Sequence, residues 1–420
     1  MPVNVLIVSH LFPPNPGIGA RRWAKFAKYL TKKNFQVHVL TADHAGKSGS
    51  VWTNDVKNIS IEKLPFNFPE IIAYPKPGVV NKMKYFLKLE YLKSKDKGNF
   101  YDKTIFWKSQ LEEKIQALIK QNNIKCVIVT AGPFRLANYV IGLKKKFPEV
   151  KFIVDFRDLW TNDSEITAFS KMSEARKNYE RQLEKETLEL ADKVICVADN
   201  MKTYFGGLTS AQKITVIPNG FDTDDFSDVI GSRPAESDGK IKFVFTGTLY
   251  INLEYILEPF FRALGKLKAQ NKNLFGFLNF EFIGTFPDAY KQLITKYNIS
   301  ESITISKSLP LKEVYKHINE SDYCMLFLNN VYNFALSTKF CEYISQRKKI
   351  IVVSSKGQAQ EFIVNKNIGF WINPDNAYED LKSLIEKTIS GNVSKWNSDF
   401  NVEEFSLNNL TDKLINLIEQ

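Results

Sequence analysis

The sequence is poor in histidine and cysteine and has no long apolar run. It contains four histidines and four cysteines in 420 residues. Cys126, Cys196, Cys324 and Cys341 lie far apart inside apolar segments, with no Cys-x2-Cys pair near a histidine. This spacing argues against zinc and disulfide frameworks and predicts buried, reduced thiols. No segment approaches the ~18 uninterrupted apolar residues of a membrane-spanning helix. The first residues lack the pattern of a signal peptide, so we expect a cytoplasmic protein.

The chain is too long for a single hydrophobic core. Cores stop growing at about 250–300 residues, so a length of 420 predicts two domains. Short β-branched apolar runs alternate with segments of helical spacing, which indicates parallel sheets covered by helices. The predicted fold class is α/β, with two Rossmann-like doubly wound domains facing across a cleft. Their expected bounds are 1–220 and 221–400, followed by a C-terminal helix over 401–420 near the domain interface.

The alternation predicts similar elements in both domains. In the first, strands are expected at 3–8, 37–40, 126–130, 152–155, 194–197 and 214–217, and helices at 20–33, 112–120, 136–146 and 171–190. In the second, strands are expected at 243–246, 280–283, 303–305, 323–327, 350–353 and 369–372, and helices at 253–268, 288–297, 311–318, 337–344, 358–364, 378–388 and 406–418. The polar stretch 222–240 between the two series is typical of an interdomain connection.

Positive charge exceeds negative charge and is unevenly distributed. The formal net charge is +11, which favours an anionic partner. Nine lysines but only three acidic residues lie within 71–108, interleaved with aromatic side chains. Two interpretations of this segment stay open: a solvated insertion with some core aromatics, or a surface that contacts anionic lipid. Nucleic-acid binding would require these lysines to be the main site, and no nucleic-acid partner is expected.

The first predicted strand is followed by a loop that contains Gly17 and Gly19 and leads into the first helix. Glycine permits close backbone approach and a helix N-terminus favours anions, so the loop suits a phosphate or a sugar. Equally, the glycines there could provide only flexibility. Arg22 stands at the last position of the Gly-x-Gly-x-x-Gly fingerprint, which argues against a nicotinamide cofactor. Arg21 and Arg22 either supply positive charge at this loop or coat the helix.

A cluster of opposite charges follows a later strand of the first domain. Asp155, Arg157 and Asp158 stand together after the predicted strand at 152–155. Partial burial at a strand end shifts the pKa values of such groups, which suits hydroxyl binding or acid–base chemistry. The alternative is a structural ion pair that joins two loops.

Two loops of the second domain suit a diphosphate. One is a Gly-Thr pair after the first strand, where backbone amides stay accessible. The other is a Ser-Thr-Lys sequence that begins a helix and combines a capping side chain, free amides and a full positive charge. A glutamate one turn later is placed to hold a ribose diol. Taken alone, the second loop is better explained as the start of an ordinary capped helix. The candidate donor-binding residues are Gly247, Thr248, Ser337, Thr338, Lys339 and Glu342.

In combination, these motifs resemble the GT-B-fold glycosyltransferases, most closely the retaining enzymes of glycosyltransferase family 4. The resemblance covers essentially the whole chain, and the segments that carry it are, in order, 5–19, 155–160, 217–222, 245–247, 337–343 and 349–351. Each motif is weak, but their order and spacing together are fairly specific. The resemblance implies that the C-terminal domain binds a nucleotide-diphosphate sugar and that the N-terminal domain binds a lipid-linked or saccharide acceptor.

The chain departs from the family pattern at the donor site. The family carries a Glu-x7-Glu motif, whose second glutamate binds the donor ribose and matches Glu342. The first glutamate, which contacts the transferred sugar, falls at Phe334. Lys339 is a candidate for one member of the family's phosphate-binding Arg/Lys pair, but the first arginine after Gly247 is Arg262, deep in the following helix.

The resemblance also indicates the candidate catalytic residues of the N-terminal domain. A histidine that relatives often carry after a Gly-Pro turn is replaced here by Asn138, which leaves His10, after the first strand, as the best-placed histidine. The candidate catalytic residues are therefore Asp155, Asp158, His10 and Asn138. The candidate acceptor or phosphate loop consists of Gly17, Gly19, Arg21, Arg22 and Arg157.

The chemistry that the resemblance implies is a retaining, front-face displacement in which the leaving diphosphate helps to deprotonate the acceptor. Such enzymes generally need no metal, so neither a metal nor a cofactor is expected. Asp222-Thr223-Asp224 resembles a metal-binding Asp-x-Asp motif, but we interpret it as a turn. The expected setting is cell-envelope or surface polysaccharide biosynthesis, with peripheral contact to the inner face of the plasma membrane through 71–108. Two alternatives stay open: a GT-B nucleotide-sugar 2-epimerase and a catalytically silent GT-B partner subunit.

Overall fold

The chain divides into two compact units. The computed structural model describes residues 2–44, 49–161, 169–227, 229, 239–329 and 336–420. The first unit comprises Met1–Pro218 and Leu410–Gln420, and the second comprises Asn219–Asn409. The chain therefore passes into the second unit after Pro218 and returns to the first unit within its last helix.

The first unit contains a seven-stranded parallel sheet with the strand order β3-β2-β1-β4-β5-β6-β7. Its strands are β1 Asn4–Ser9, β2 Gln36–Asp43, β3 Ser60–Pro65, β4 Cys126–Ala131, β5 Lys151–Phe156, β6 Lys193–Cys196 and β7 Ile214–Val216. Its helices are α1 Arg21–Lys32, α2 Glu70–Ala73, α3 Val79–Lys95, α4 Lys108–Gln121, α5 Phe134–Gly142, α6 Glu174–Leu190 and α7 Asp199–Gly206. The strand order reverses between β1 and β4, which is where open α/β sheets bind ligands.

The second unit contains a six-stranded parallel sheet with the strand order β10-β9-β8-β11-β12-β13. Its strands are β8 Ile241–Thr248, β9 Leu278–Thr285, β10 Ile303–Ser306, β11 Tyr323–Leu328, β12 Lys349–Ser354 and β13 Gly369–Ile372. Its helices are α8 Glu254–Gln270, α9 Lys272–Gly276, α10 Asp288–Lys296, α11 Leu311–Glu320, α12 Thr338–Ser345, α13 Gln358–Asn365 and α14 Ala377–Ile389. The last helix, α15 Leu407–Glu419, continues into the first unit. The predicted α/β fold class is confirmed.

The central strands are buried on both faces, which explains why sequence periodicity identifies them. All six residues of β4 and all six of β11 are buried, as is usual for parallel sheets covered by helices. Periodicity does not identify β3 because it is an edge strand with only one fully buried residue, Leu64, and exposed edges carry charged side chains. It does not identify α3 either, because many apolar residues of that helix are exposed.

The last helix is attached to the first unit by polar contacts. Lys151 Nζ donates to the carbonyls of Leu417 and Ile418, at 3.3 and 2.7 Å. Lys33 Nζ lies 2.7 Å from Asp412 Oδ1. Lysine heads that meet the last carbonyls of a helix satisfy groups that have no partner within the helix. These contacts therefore complete the helix end and attach it to β5 at the same time.

Two further expectations concern cysteines and membrane spans. The four cysteines are free and buried, as predicted. Burial raises the pKa of the Cys126, Cys196 and Cys324 thiols to about 12, so they stay protonated and unreactive. Among the described residues, no helix combines the length and the apolar character needed to cross a membrane.

The ends of β8 and β9 approach so closely that a side chain at Gly284 would not fit. Gly284 has a φ of 130°, and a Cβ there would lie 2.2 Å from the carbonyl oxygen of Gly247. We expect Gly284→Ala to lower the free energy of unfolding by roughly 2–4 kcal/mol, through backbone strain and overpacking. Urea denaturation of the full chain measures this loss. Gly276→Ala is the matched control, because no described atom lies within 4 Å of the position that a Cβ would take there, and an equal loss in both variants would contradict the assignment.

Candidate functional site

Three strand-end loops of the first unit meet at the guanidinium of Arg157. Arg157 Nη1 donates a hydrogen bond to the carbonyl of Gly19 at 3.3 Å. A Cβ on Gly19 would lie 3.5 Å from Nη2, and a Cβ on Gly132 would lie 3.9 Å from the same atom. Arg157 Nε is buried and has no hydrogen-bond partner among the described residues. The guanidinium thus places positive charge beside two glycine loops, at the reversal of strand order, where an anion would be stabilised.

Asp155, the last but one residue of β5, is fully buried and saturated with hydrogen bonds. Arg22 donates to both of its carboxylate oxygens, from Nε and Nη2, at 3.0 Å each. Trp23 Nε1 donates to Oδ2 at 2.8 Å. This is the structural ion pair that the sequence left open as an alternative. A catalytic role for Asp155 stays a prediction, and it would require a substrate to reach a carboxylate that solvent does not touch.

The other residues predicted for the phosphate loop are buried or form hydrogen bonds within the first unit. Arg22 also donates to the carbonyls of Ile217 and Pro218, at 2.9 and 2.8 Å. The amide of Gly17 donates to Asn15 Oδ1 at 2.9 Å, and Arg21 is buried at the start of α1. The structure therefore brings Gly19 and Arg157 together, while it uses Arg22 to join α1 to the end of the first unit's main segment.

Two glutamates of α6 hold the loop that follows β5, and the sequence analysis missed both. Trp160 Nε1 donates to Glu180 Oε2 at 2.6 Å, and Thr161 Oγ1 donates to Glu184 Oε2 at 2.5 Å. Burial raises the pKa of Glu184, although hydrogen bonds from the hydroxyls of Thr161 and Tyr204 oppose the shift. The available signal was the spacing of Glu180 and Glu184, which are four residues apart on the same side of the helix as the buried Leu183.

Asp158 and Asn138 occupy different surroundings. Asp158 is exposed to solvent on one side. Loss of hydration against the neighbouring residues raises the pKa of its carboxyl, and the charge of Arg157 opposes this shift. Asn138 Nδ2 donates to Thr187 Oγ1 at 3.2 Å and to the carbonyl of Leu183 at 3.4 Å. The amide of Asn138 thus links α5 to α6. The predicted catalytic roles of Asp158 and Asn138 stay predictions.

His10 lies in an aromatic cluster at the ends of β1 to β3. Its ring centroid is 4.8 Å from that of His44, 5.9 Å from that of Phe66 and 5.4 Å from that of Trp107. Burial, reinforced by His44 and Lys103, lowers the pKa of His10 to about 3. The ring is therefore neutral near pH 7, so it can form hydrogen bonds but carries no charge. Its Nε2 is buried without a partner among the described residues.

In the second unit, Lys339 packs directly on Gly247. Gly247 has a φ of 95°, and a Cβ there would lie 2.8 Å from Lys339 Cε and 3.4 Å from Nζ. The ammonium also lies 5.4 Å from the centre of the Phe245 ring. Burial lowers the pKa of Lys339, and the charge of Glu342 partly reverses the shift. The structure thus brings together Gly247 and Lys339, two candidate donor residues that are 92 positions apart in the sequence.

The start of α12 is capped as the sequence indicated. Ser337 Oγ accepts a hydrogen bond from the amide of Phe340 at 3.3 Å. Thr338 is the first residue of the helix, and Glu342 is half-buried one turn later. Thr248 is exposed at the end of β8. The candidate donor residues therefore cluster around one strand end and one helix N-terminus, where an anion is favoured. Phe334, the departure from the family motif, lies outside the described residues.

Tyr343 sets the distance between α12 and β8, and the sequence analysis gave it no role. Its hydroxyl accepts a hydrogen bond from the amide of Thr246 at 3.0 Å and lies 3.2 Å from Thr246 Oγ1. Tyr343 is fully buried, and burial raises the pKa of its hydroxyl far above the usual range. Since Tyr343 follows Glu342 and Thr246 precedes Gly247, this contact positions both parts of the candidate donor site.

The Asp-x-Asp sequence forms a turn, as predicted. Asp222 Oδ1 accepts a hydrogen bond from the amide of Asp224 at 3.0 Å and so caps the single helical turn Thr223–Asp225. Asn219, just before it, donates from Nδ2 to the carbonyl of Leu336 at 3.1 Å. Cys341 Sγ lies 3.1 Å from the carbonyl of Asn219. The Pro-Asn-Gly turn is therefore attached to the start of α12.

Residues 19–225 match the sequence model of the family described as Glycosyltransferase Family 4. The resemblance to family 4 is confirmed. The matched residues include Gly19, Arg157 and the Asp155 ion pair, and they end just after the passage into the second unit. Among curated proteins, no sequence matches the chain.

Solved structures with the GT-B fold resemble the whole chain. A glycosyltransferase from Rickettsia africae is 16% identical with a TM-score of 0.64, and the match covers 100% of this chain and 98% of the other. Sucrose-phosphate synthase from Thermosynechococcus elongatus is 13% identical with a TM-score of 0.65, at 100% and 98% coverage. UDP-GlcNAc 2-epimerase from Neisseria meningitidis, bound to UDP-GlcNAc, is 12% identical with a TM-score of 0.58, at 99% and 100% coverage. These likenesses establish the GT-B fold, with two Rossmann-like domains.

The depressed pKa of His10 predicts a pH dependence of stability. Because the folded pKa is about 3 and the unfolded value about 6.5, neutral His10 contributes its full stability above pH 6.5 and loses it as the pH falls toward 3. Lowering the pH from 7 to 4.5 should reduce the free energy of unfolding of the unaltered chain. In His10→Phe we expect this reduction to be about 2–3 kcal/mol smaller. Urea denaturation at both pH values measures the difference.

The control for this experiment is Phe66→Leu, which alters the same aromatic cluster without removing a titratable group. It should lower the free energy of unfolding by a similar amount at both pH values. If His10→Phe and Phe66→Leu showed the same pH dependence, His10 would not be the group that titrates.

Proposed function

We propose that the protein is a glycosyltransferase that moves a sugar from a nucleotide-diphosphate sugar, held by the second unit, to an acceptor held by the first. The family match over residues 19–225 supports glycosyl transfer. The observation that carries the proposal is the packing of Lys339 on Gly247 beside Glu342. This group lies outside the matched residues and provides what a nucleotide diphosphate needs, namely a cation, accessible backbone and a carboxylate for a diol.

The charge on Lys339 favours an anionic ligand such as a diphosphate. Lys339 is half-buried, and this burial lowers its pKa. A half-buried ammonium interacts more strongly with an anion than one in open water does, because less water screens the pair. A second negative charge would also offset the cost of keeping Lys339 protonated. Donor binding should therefore raise the pKa of Lys339, and negative charge that develops on a leaving diphosphate would be stabilised at the same atom.

For the acceptor half we propose the surroundings of Arg157. Its guanidinium faces the loops of Gly19 and Gly132 at the carboxyl ends of β1 and β4. The neutral ring of His10 lies at the end of β1, and the carboxyl of Asp158 follows Arg157. A cation, a neutral hydrogen-bonding ring and a carboxyl with a raised pKa together suit an acceptor with several hydroxyls and an anionic group.

We further propose the retaining course, in which the leaving diphosphate accepts the acceptor proton. No protein nucleophile is required for such a step, and the buried, hydrogen-bonded Asp155 is not suited to be one. Lys339 and the amides at the start of α12 would neutralise the diphosphate, so we propose that the reaction needs neither a metal nor a cofactor. As the setting, we propose cell-envelope or surface polysaccharide biosynthesis in the cytoplasm, with the acceptor at a membrane surface.

Two other functions are compatible with the fold. A nucleotide-sugar 2-epimerase shares the GT-B architecture, as the enzyme from Neisseria meningitidis does. Such an enzyme would convert the donor to its C2 epimer without an acceptor, whereas a transferase would release free sugar slowly to water. A catalytically silent partner subunit would do neither. Analysis of the sugar products by chromatography after incubation with each nucleotide sugar separates the three, and the family 4 match favours the transferase.

The first experiment is a thermal-shift screen with UDP, GDP, ADP and CMP and their sugars. We expect stabilisation by one nucleotide diphosphate, which at 100 times its Kd adds about 2.7 kcal/mol to the free energy of unfolding. Lys339→Met and Glu342→Ala should each weaken that nucleotide's affinity about 10–100-fold, because each removes a charged hydrogen-bonding partner. Lys272→Met and Glu386→Gln are the controls, since both side chains are exposed on other helices of the second unit, α9 and α14. The absence of a shift with every nucleotide would contradict the proposed donor site.

Tyr343→Phe tests the positioning of the donor site. It leaves the buried amide of Thr246 without its partner, which should cost about 1–3 kcal/mol of unfolding free energy and also weaken nucleotide binding. Tyr323→Phe is the matched control, because it removes a hydroxyl that pairs with Thr388 Oγ1 at 2.8 Å in the same unit. A purely structural role for Tyr343 would lower stability in both variants and leave nucleotide affinity unchanged in both.

A further inference from the structure

The outward face of α3 is apolar. Six of the 17 large apolar side chains that are exposed among the described residues belong to this one helix. They are Val79, Val80, Met83, Phe86, Leu87 and Tyr91, and between 45% and 86% of each is exposed. At about 100° per residue, their positions fall within one arc of the helix surface, which near the C-terminal end of the helix also carries the exposed residues Glu90 and Ser94. We call these six residues the α3 stripe. Exposed apolar side chains grouped in this way mark a contact surface.

Lysines border the α3 stripe on both sides. The helix contains five lysines and one glutamate, Glu90, which pairs with Lys93 Nζ at 2.7 Å. Lys82 and Lys93 lie along one border of the stripe, whereas Lys84, Lys88 and Lys95 lie along the other. Long lysine stems reach past apolar surface and keep their ammonium groups at its edge. An apolar centre with basic borders is the arrangement of a helix that lies in the headgroup region of an anionic bilayer.

The opposite side of α3 is already part of a core, so the stripe is a preformed surface. Leu89 and Leu92 are buried in a small hydrophobic cluster with Phe68 and Ile72. They lie on the side of the helix that faces away from the stripe. The helix is therefore already folded before it meets a partner. If the stripe turned inward, the cluster around Leu89 and Leu92 would become exposed instead.

Polar contacts fix the C-terminal end of α3 to the rest of the first unit. Arg176 of α6 donates to the carbonyls of Lys93, Asp96 and Gly98, at distances of 2.8, 2.6 and 2.6 Å. Arg135 of α5 pairs with Asp96 at 2.7 Å. These contacts hold the helix end on α5 and α6, so the direction in which the stripe points is set by the sheet beneath.

We propose that α3 is an interfacial helix by which the first unit docks on an anionic lipid surface, with the α3 stripe among the lipids and the bordering lysines on their headgroups. This inference rests on the proposed function in one respect: the proposed function explains why docking would be useful, because docking brings the acceptor-binding unit to a membrane. The charge decides the partner: exposed apolar side chains alone would equally suit a second copy, but two copies would bring two sets of five lysines together. An anionic surface neutralises those lysines.

The test is cosedimentation of the full chain with phosphatidylcholine vesicles, with and without phosphatidylglycerol. We expect binding only to the anionic vesicles, weakened by salt. The variant K82Q/K84Q/K88Q should lower the partition coefficient roughly 100-fold, from the contribution of each lysine near an anionic surface. The variant M83S/F86S/L87S should lower it at least about tenfold through lost apolar burial. All six side chains are exposed, so both variants should keep the unfolding midpoint of the unaltered chain.

The matched control is K307Q/K356Q/K395Q, which removes the same charge from positions of the second unit that lie outside α3 and should leave the partition coefficient unchanged. A fluorophore reports insertion directly. Because the four native cysteines are buried, Met83→Cys can be labelled selectively, and its emission should shift to shorter wavelength on anionic vesicles. A label on Lys356→Cys should show no shift.

Several outcomes would overturn the proposal. One is failure of the full chain to bind anionic vesicles, and another is an equal loss of binding in the α3 lysine variant and its control. A third is a dimer, seen by light scattering, that M83S/F86S/L87S dissociates while vesicle binding persists, since the stripe would then be a contact between copies. Vesicle binding and nucleotide stabilisation are measured separately, so failure of one proposal is distinguishable from failure of the other.

Discussion

The buried carboxylate of Asp155 is the constraint on which the arrangement of the first unit depends. A carboxylate in a water-free place is costly unless its charge is paired and its oxygens are hydrogen-bonded. Arg22 and Trp23, adjacent on α1, meet that requirement together. The same arginine holds the carbonyls of Ile217 and Pro218. One ion pair thereby fixes the first helix, the end of β5 and the point where the chain leaves the unit.

The fixed position of α1 has consequences for its neighbours. The loop that leads into α1 carries Gly19, whose carbonyl holds Arg157. Glu180 holds Trp160 on the far side of the same loop after β5. Arg157 is therefore held directly by the carbonyl of Gly19, while Glu180 holds the loop that follows it. In the second unit, Tyr343 has the corresponding structural role, because its hydroxyl joins α12 to β8 where Lys339 meets Gly247.

Sequence periodicity predicts the fold well where burial and pattern coincide. Strands such as β4 and β11 are apolar on both faces, so a short apolar run identifies them. Periodicity does not identify the edge strand β3 or the helix α3, for opposite reasons. The strand has too few buried residues, and the helix has apolar residues that are not buried. Periodicity assumes that apolar side chains point inward, and a surface helix that presents them outward violates that assumption.

The candidate site, like the fold, could be predicted only in part from the sequence. The sequence identifies the loops that carry Gly19, Arg157, Gly247 and Lys339, because a parallel fold brings strand ends together. The sequence does not show whether a charged side chain is already fully paired inside the protein, as Asp155 is, or can still bind a ligand, as Arg157 can. Nor can it show which polar residue supports another, because the partners of Tyr343 and Glu180 lie far away in sequence. Those assignments require distances.

The first unit is discontinuous, because its last helical residues, from Leu410 onward, follow the whole second unit in the chain. During synthesis the segment Asn219–Asn409 must therefore emerge before the first sheet receives the helix that covers Lys151. At about 5–20 residues per second, the ribosome needs roughly 10–40 s for that segment. Until then the first unit lacks its last helix, whereas the second unit can fold from one uninterrupted stretch of nascent chain.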